Sequence, residues 1–240
     1  MKKILLFIGL FFIPFVALAN SYTAGDLTIK YEEPKWIVFT RENIKGNSKL
    51  KELGIDESNL SNLYIKGNIY VDALLDSSNL ANSLESFVLI KDVEDSVKNL
   101  HTYSDSKIKE VENEIIKGYN TSDHGIYASG KYKYVYMIYK DQGLSICDYY
   151  TTINGKGYTI KFQKTSEFTS SELSLMKPII DGVTFKLDEK FEKKDGFDWS
   201  RVLTYAIVGG IIGGASALVG VISSKKKKQQ VQQNNQNTQI

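Results

Sequence analysis

From Val202 to Ser224 the chain runs 23 positions without a charged residue, and Lys225, Lys226, Lys227 and Lys228 follow at once. No other stretch leaves the backbone so little choice. At about 1.5 Å per residue, roughly 20 apolar residues cross a hydrocarbon core of about 30 Å. Peptide groups left unmet in that core are costly, so the run is expected to be helical in spite of its glycines. Trp199 and Tyr205 sit at its upstream end, where amphipathic rings prefer the headgroup level. A lysine block marks the cytoplasmic side of a span. The segment predicts one transmembrane helix over 202–224 and a cytoplasmic, basic and Gln/Asn-rich tail over 225–240.

A second apolar run opens the chain. Lys2 and Lys3 precede Ile4 to Ala19, a run interrupted by Pro14, and Ala17-Leu18-Ala19 offers the small-x-small pattern of a cleavage site. Residues 1–19 therefore read as a secretory signal peptide, cut before Asn20. Asn20 is not a cysteine, which excludes a lipid anchor of the bacterial lipoprotein type. Leader and span together put one domain, 20–189, outside the membrane, with 190–201 as a charged, aperiodic linker. Apolar span and basic tail resemble the sorting tail of Gram-positive surface proteins. The stretch Lys194 to Trp199 contains no LPxTG motif, so the expected location is the cell membrane and not the wall. Richness in Lys, Asn and Ile points to a low-GC Gram-positive source.

Charge is distributed unevenly. Residues 20–200 hold all 28 acidic residues but only 23 of the 30 basic ones, a net of −5. Nucleic-acid binding wants a basic face and is not expected. The tail lysines have work enough at the bilayer, as topology determinants and contacts to anionic lipid. Cys147 is the single cysteine, so no internal disulfide is available and packing alone must stabilise the domain.

Within the domain, Leu27 to Tyr31 and Trp36 to Thr40 read as two short strands joined at Pro34. Asp56 is a helix N-cap for a segment reaching about Ile65. Asn68 to Leu75 follows as a strand, with Ile69, Val71, Ala73 and Leu75 expected on one face, and Phe87 to Ile90 as another. Ile108, Val111, Ile115 and Ile116 recur at helical spacing within Asp105 to Lys117. A run of strands then begins at Ile126 to Ala128, with turns at Ser129-Gly130, Asp141-Gln142-Gly143 and Asn154-Gly155. Asn and Gly tolerate the positive φ of tight hairpins, so Tyr132 to Lys140, Leu144 to Ile153 and Tyr158 to Gln163 form an antiparallel meander. Ser170-Ser171-Glu172 starts a helix, and Val183 to Phe185 is a last strand. The fold class is α+β, an antiparallel sheet with helices packed on it, plus one C-terminal transmembrane helix.

The closing third, Tyr158-Thr159-Ile160-Lys161-Phe162, then Phe168, then Ile179-Ile180-Asp181-Gly182-Val183-Thr184-Phe185, is similar to the close of PsbP/Mog1-like domains. Those domains end on a G-x-x-Y-x-I-x-F strand, a helix closing on paired Ile or Val, and a short S-x-x-F strand. Tyr31, Pro34 and Trp36 resemble their opening Y-P-x-x-W hairpin, while Gly182 stands where Ser is usual. The resemblance implies an α/β/α sandwich and a binding or assembly adaptor that carries no catalytic residues.

Chemistry-bearing residues are few. Cys147 with His101 or His124 is the one arrangement from which a surface enzyme could be built, and it needs the base within hydrogen-bond reach. Cys147 shares a strand face with Ser145 and Tyr149, which favours a small buried hydrophobe instead. No His/Cys cluster has zinc spacing, and neither Asp92-Val93-Glu94-Asp95 nor Glu110 to Glu114 has the calcium-loop pattern with its glycine. No cofactor or metal is expected. Eight of the 15 tyrosines fall between Tyr127 and Tyr158. Tyr132, Tyr134 and Tyr136 alternate onto one sheet face, a candidate ligand face for an unknown protein partner or a structural ladder. In the span, Gly209, Gly213 and Ala217 form one small-residue row, and Gly210 and Gly214 a second. Such rows let helix backbones approach closely, the basis for an expected homodimer.

Overall fold

The structure, a computed structural model, describes residues 19–33, 35–75, 82–93 and 97–192. Strands β1 (Ala19–Ala24), β2 (Leu27–Glu32) and β3 (Trp36–Thr40) come first, then helices α1 (Ser48–Glu52) and α2 (Glu57–Lys66). Strands β4 (Ile69–Leu75) and β5 (Glu85–Asp92) precede helix α3 (Asp105–Ile116). Strands β6 (Thr121–Ser129), β7 (Tyr132–Asp141), β8 (Leu144–Ile153) and β9 (Lys156–Lys164) form the meander. Helix α4 (Ser170–Asp181) and strand β10 (Thr184–Phe185) close it.

Turn chemistry sets the meander. Asn154 (φ 51°) and Gly155 (φ 71°) make the β8–β9 hairpin, and Gln142 (φ 48°) and Gly143 (φ 81°) the β7–β8 hairpin. Both central residues of each turn are left-handed, the geometry that matches the twist of paired strands. The described strands form a seven-stranded sheet in the order β3-β4-β5-β9-β8-β7-β6 and a three-stranded sheet in the order β1-β2-β10, every pair antiparallel.

Each face of the large sheet carries a different cover. On one, β1, β2, β10 and α4 bury Leu27, Ile29, Met176, Ile180 and Phe185 against Tyr134, Cys147, Tyr158, Ile160 and Phe162. On the other, α1 and α2 pack Leu50, Leu60 and Tyr64 onto Phe39, Leu74 and Phe87. Beside them α3 packs Ile108, Val111 and Ile115 onto Val135, Met137 and Ile146. Strand β8, covered on both sides, is buried along its whole length. Local caps seat the helices: Asp56 accepts from the Asn59 amide at 2.8 Å, and Thr169 with Glu172 forms a capping box.

The α+β class is as expected, with three differences. Strands β2 and β3 do not pair as a hairpin: β2 lies between β1 and β10 in the small sheet, while β3 pairs with β4. Leu27, Ile29 and Tyr31 are needed as cover for the large sheet, and a strand cannot both cover a sheet and extend it. Ile69 does not share a face with Val71, because a register shift between them sends Ile69 under α2 and Val71 to the opposite core. The segment from Lys190, read as linker, begins packed on the domain. Phe191 is buried in the 3-10 turn Glu189–Phe191, and its carbonyl accepts from the Asn99 amide.

No helix of the described residues is long and apolar enough to cross a membrane. The expected span 202–224 lies outside them, with Gly209, Gly210, Gly213, Gly214 and Ala217, as do residues 1–18 of the leader and the tail.

Candidate functional site

Alternation along β7 points Tyr132, Tyr134, Tyr136 and Ile138 at one core, as the strand period requires. The cover above them is uneven. Tyr132 is 8% exposed and packs edge-on to Phe185 of β10 at 5.0 Å between ring centroids. Tyr134 is 0% exposed, while Tyr136 and Ile138 are half-buried. Of the three tyrosines, Tyr132 and Tyr134 belong to the core, as a structural ladder would, and Tyr136 alone is half-exposed. Sequence alternation assigns a face, and only the second layer decides how much of it is roofed.

Tyr136 opens onto a rim shared by β6, β7, β8 and the end of α4. Its ring stacks on Tyr149 at 6.0 Å and 28°, and Tyr127 meets Tyr149 edge-on at 5.5 Å. Across the strand pair Tyr136 faces Gly125. A Cβ at Gly125 would sit 2.9 Å from the Tyr136 ring, so glycine is what allows the ring to lie over β6. Two carboxylates edge the rim. Tyr127 Oη donates to Asp181 Oδ1 at 2.9 Å, and Tyr136 Oη lies 3.4 Å from both Asp123 oxygens. Burial and the Asp181 carboxylate push the Tyr127 phenol up to about 12. Asp123 and Asp181 are exposed, and no cation pairs with either among the described residues. Beneath them the buried Tyr134 Oη has no hydrogen-bond partner among the described residues, and burial pushes its phenol up.

The Cys147–histidine arrangement is not assembled among the described residues. Cys147 is 1% exposed in the core under the small sheet, and burial pushes its thiol up. His124 pairs in register with Met137, whose side chain belongs to the α3 core on the other side of the sheet. There His124 Nδ1 lies 2.6 Å from Glu112 Oε1, which also accepts from Lys109 Nζ at 2.7 Å. His101 Nε2 lies 3.3 Å from Glu192 Oε2. A thiolate needs a base beside it and a path for substrate, and Cys147 has neither in this arrangement.

Fully buried charges escaped the sequence reading. Lys161 Nζ lies 3.3 Å from Asp148 Oδ2 and donates to Tyr139 Oη at 3.3 Å, while Tyr139 donates to the same carboxylate at 3.0 Å. Further along β9, Gln163 donates to Glu85 Oε2 of the neighbouring β5 at 3.1 Å, and one strand beyond, Tyr64 donates to Asp72 Oδ2 of β4 at 3.0 Å. Strand alternation hid them, because both faces of β5, β8 and β9 are covered. Glu112 left a trace: it falls within the apolar stripe Ile108, Val111, Ile115 of α3. Among the described residues no group of three or more His, Cys, Asp and Glu side chains could hold a metal ion.

No protein-family model and no curated protein matches the chain. Among solved structures it is similar to cyanobacterial PsbP (CyanoP) from Synechocystis sp. PCC 6803, determined in solution, with a TM-score of 0.42 and 12% identity. The match covers 71% of this chain and 94% of that one.

Proposed function

We propose that this chain is a single-pass membrane protein whose extracytoplasmic domain is a binding or assembly module, and that it engages a protein partner at the Tyr127–Tyr136 rim. One observation carries the reading: the aromatic core opens at this rim in a cluster of three tyrosines, Tyr127, Tyr136 and Tyr149, edged by two exposed carboxylates that pair with no cation among the described residues. Tyrosine offers a partner large area and hydroxyls at low entropy cost, which suits a binding face. The anchor and its orientation come from the charge-free run and the lysines behind it. The surface-enzyme reading has less behind it, because the thiol it needs lies inside a core and across the sheet from His124.

A photo-crosslinking residue at position 136, in the full chain on intact cells, tests the reading. Position 65 is the control, since Ile65 is 65% exposed on α2, away from the rim. A protein adduct at 136 and none at 65 is the expected result. Equal labelling at both positions, or none at 136, removes the rim as a binding face. External protease on the same cells should cut the domain and spare the tail; the reverse pattern overturns the orientation.

A further inference from the structure

Among the described residues strand β6 ends the large sheet and pairs on one side only, with β7. Its nine residues, TSDHGIYAS, contain neither lysine nor proline, two of the devices that commonly blunt a free edge, and its one charged residue, Asp123, lies beside its bulged start. A register shift between Thr121 and Asp123 disturbs only its start, and the rest of the strand runs regularly to Ser129. A bare edge of that length offers a row of unpaired backbone donors and acceptors to an added strand.

Its two ends of chemistry coincide with the rim. Asp123, Gly125 and Tyr127 alternate along β6 on the side that carries Tyr136. An added strand would place every second side chain over the same side. Waiting there are the Tyr127 and Tyr136 rings and the exposed carboxylates of Asp123 and Asp181. Aromatic faces and carboxylates both attract cations. We infer that the partner docks by strand addition to β6, through an extended segment that presents lysine or arginine side chains to this rim. The inference rests on the binding reading above and names its ligand class. It needs nothing from the membrane segment.

The test uses the full chain in detergent and nine-residue peptides of three kinds. One alternates lysine and threonine, one has glutamate in place of every lysine, and one is the lysine peptide methylated on alternate backbone nitrogens, made in both registers. Hydrogen exchange of the β6 amides is the readout. The lysine peptide should slow that exchange by about tenfold or more, as pairing protects an edge. The glutamate peptide should not, and one methylated register should fail because its missing N–H groups face the edge. Replacing Asp123→Asn and Asp181→Asn together should weaken the lysine peptide by roughly tenfold at low salt and flatten its salt dependence. Equal binding of the glutamate peptide overturns the basic class. Equal protection by both methylated registers overturns strand addition. If no peptide binds while position 136 still cross-links a partner, the inference fails and the binding face stands; if position 136 cross-links nothing, both fail. An adduct consisting of a second copy of this chain makes the rim a self-association surface and also overturns the inference.

Discussion

Lys161 is a cation held almost wholly away from water, with a side chain 7% exposed. Asp148 and the Tyr139 hydroxyl are its partners, and Asp148 Oδ1 has no hydrogen-bond partner. Removing one member of such a pair leaves a buried charge uncompensated. Lys161→Met should therefore cost about 3–5 kcal/mol in urea unfolding, and the double variant with Asp148→Leu should recover most of it. Asp72 behaves differently, because burial and then the neighbouring Glu85 raise its carboxyl well above the ordinary value of 3.8. Its Oδ1 has no partner, which a neutral acid tolerates better than an anion. The folded state thus keeps a proton that the unfolded chain releases. Stability from this group is complete below its ordinary value and is lost as pH rises through the raised one. Asp72→Asn should mimic the neutral acid and keep the Tyr64 hydrogen bond. From about pH 5 to about pH 8 the wild type should then lose more stability than the variant, as read from urea midpoints.

At the scale of elements, the stretch 186–192 acts as a strap. Asn154 Nδ2 donates to the Lys186 carbonyl at 2.7 Å, the Asp188 amide donates to Asn154 Oδ1 at 2.9 Å, and Lys98 Nζ donates to the Lys190 carbonyl at 3.2 Å. Asn99 donates from its side chain to Glu192, and Phe191 plugs the end. Phe191→Ala should release this strap locally. Hydrogen exchange should then rise by about tenfold or more at the Asn99, Asn154 and Phe191 amides and stay unchanged in the centre of β8. The longer helices were the legible elements, because Asp56, Ser104 and Thr169 cap them through hydrogen bonds three residues away, with Thr169 and not Ser170 capping the last. Strand β1 was not legible. ANSYTA has weak apolar alternation, and its pairing is decided by β2, whose residues Leu27 to Glu32 set the register.

For the molecule as a whole, the proposed anchor and the domain make separable demands. Two rows of small residues in 202–224 allow close helix approach, and Gly213→Ile should convert dimers to monomers in detergent, as measured by light scattering. Dimers that survive the change would assign the contact elsewhere. At the domain, half of the candidate site could be read in advance. Tyr136 and its alternation with Tyr132 and Tyr134 stood in the sequence. Asp181 and Asp123 could not be paired with it, since they come from α4 and β6, with Asp181 45 positions beyond Tyr136. Strand period says which side chains share a face and is silent on which parts of that face are roofed.

Local and near-local patterns determined the four-strand meander with its Asn-Gly turn and the capped helices, because turns, caps and periodicity act over a few residues. Tertiary structure decided which strands pair across layers, and it put Lys161 with Asp148 in the interior. It also decided that Tyr132 and Tyr134 are core while Tyr136 and β6 face outward. Those outcomes depend on burial, and burial is a property of what other parts of the chain cover.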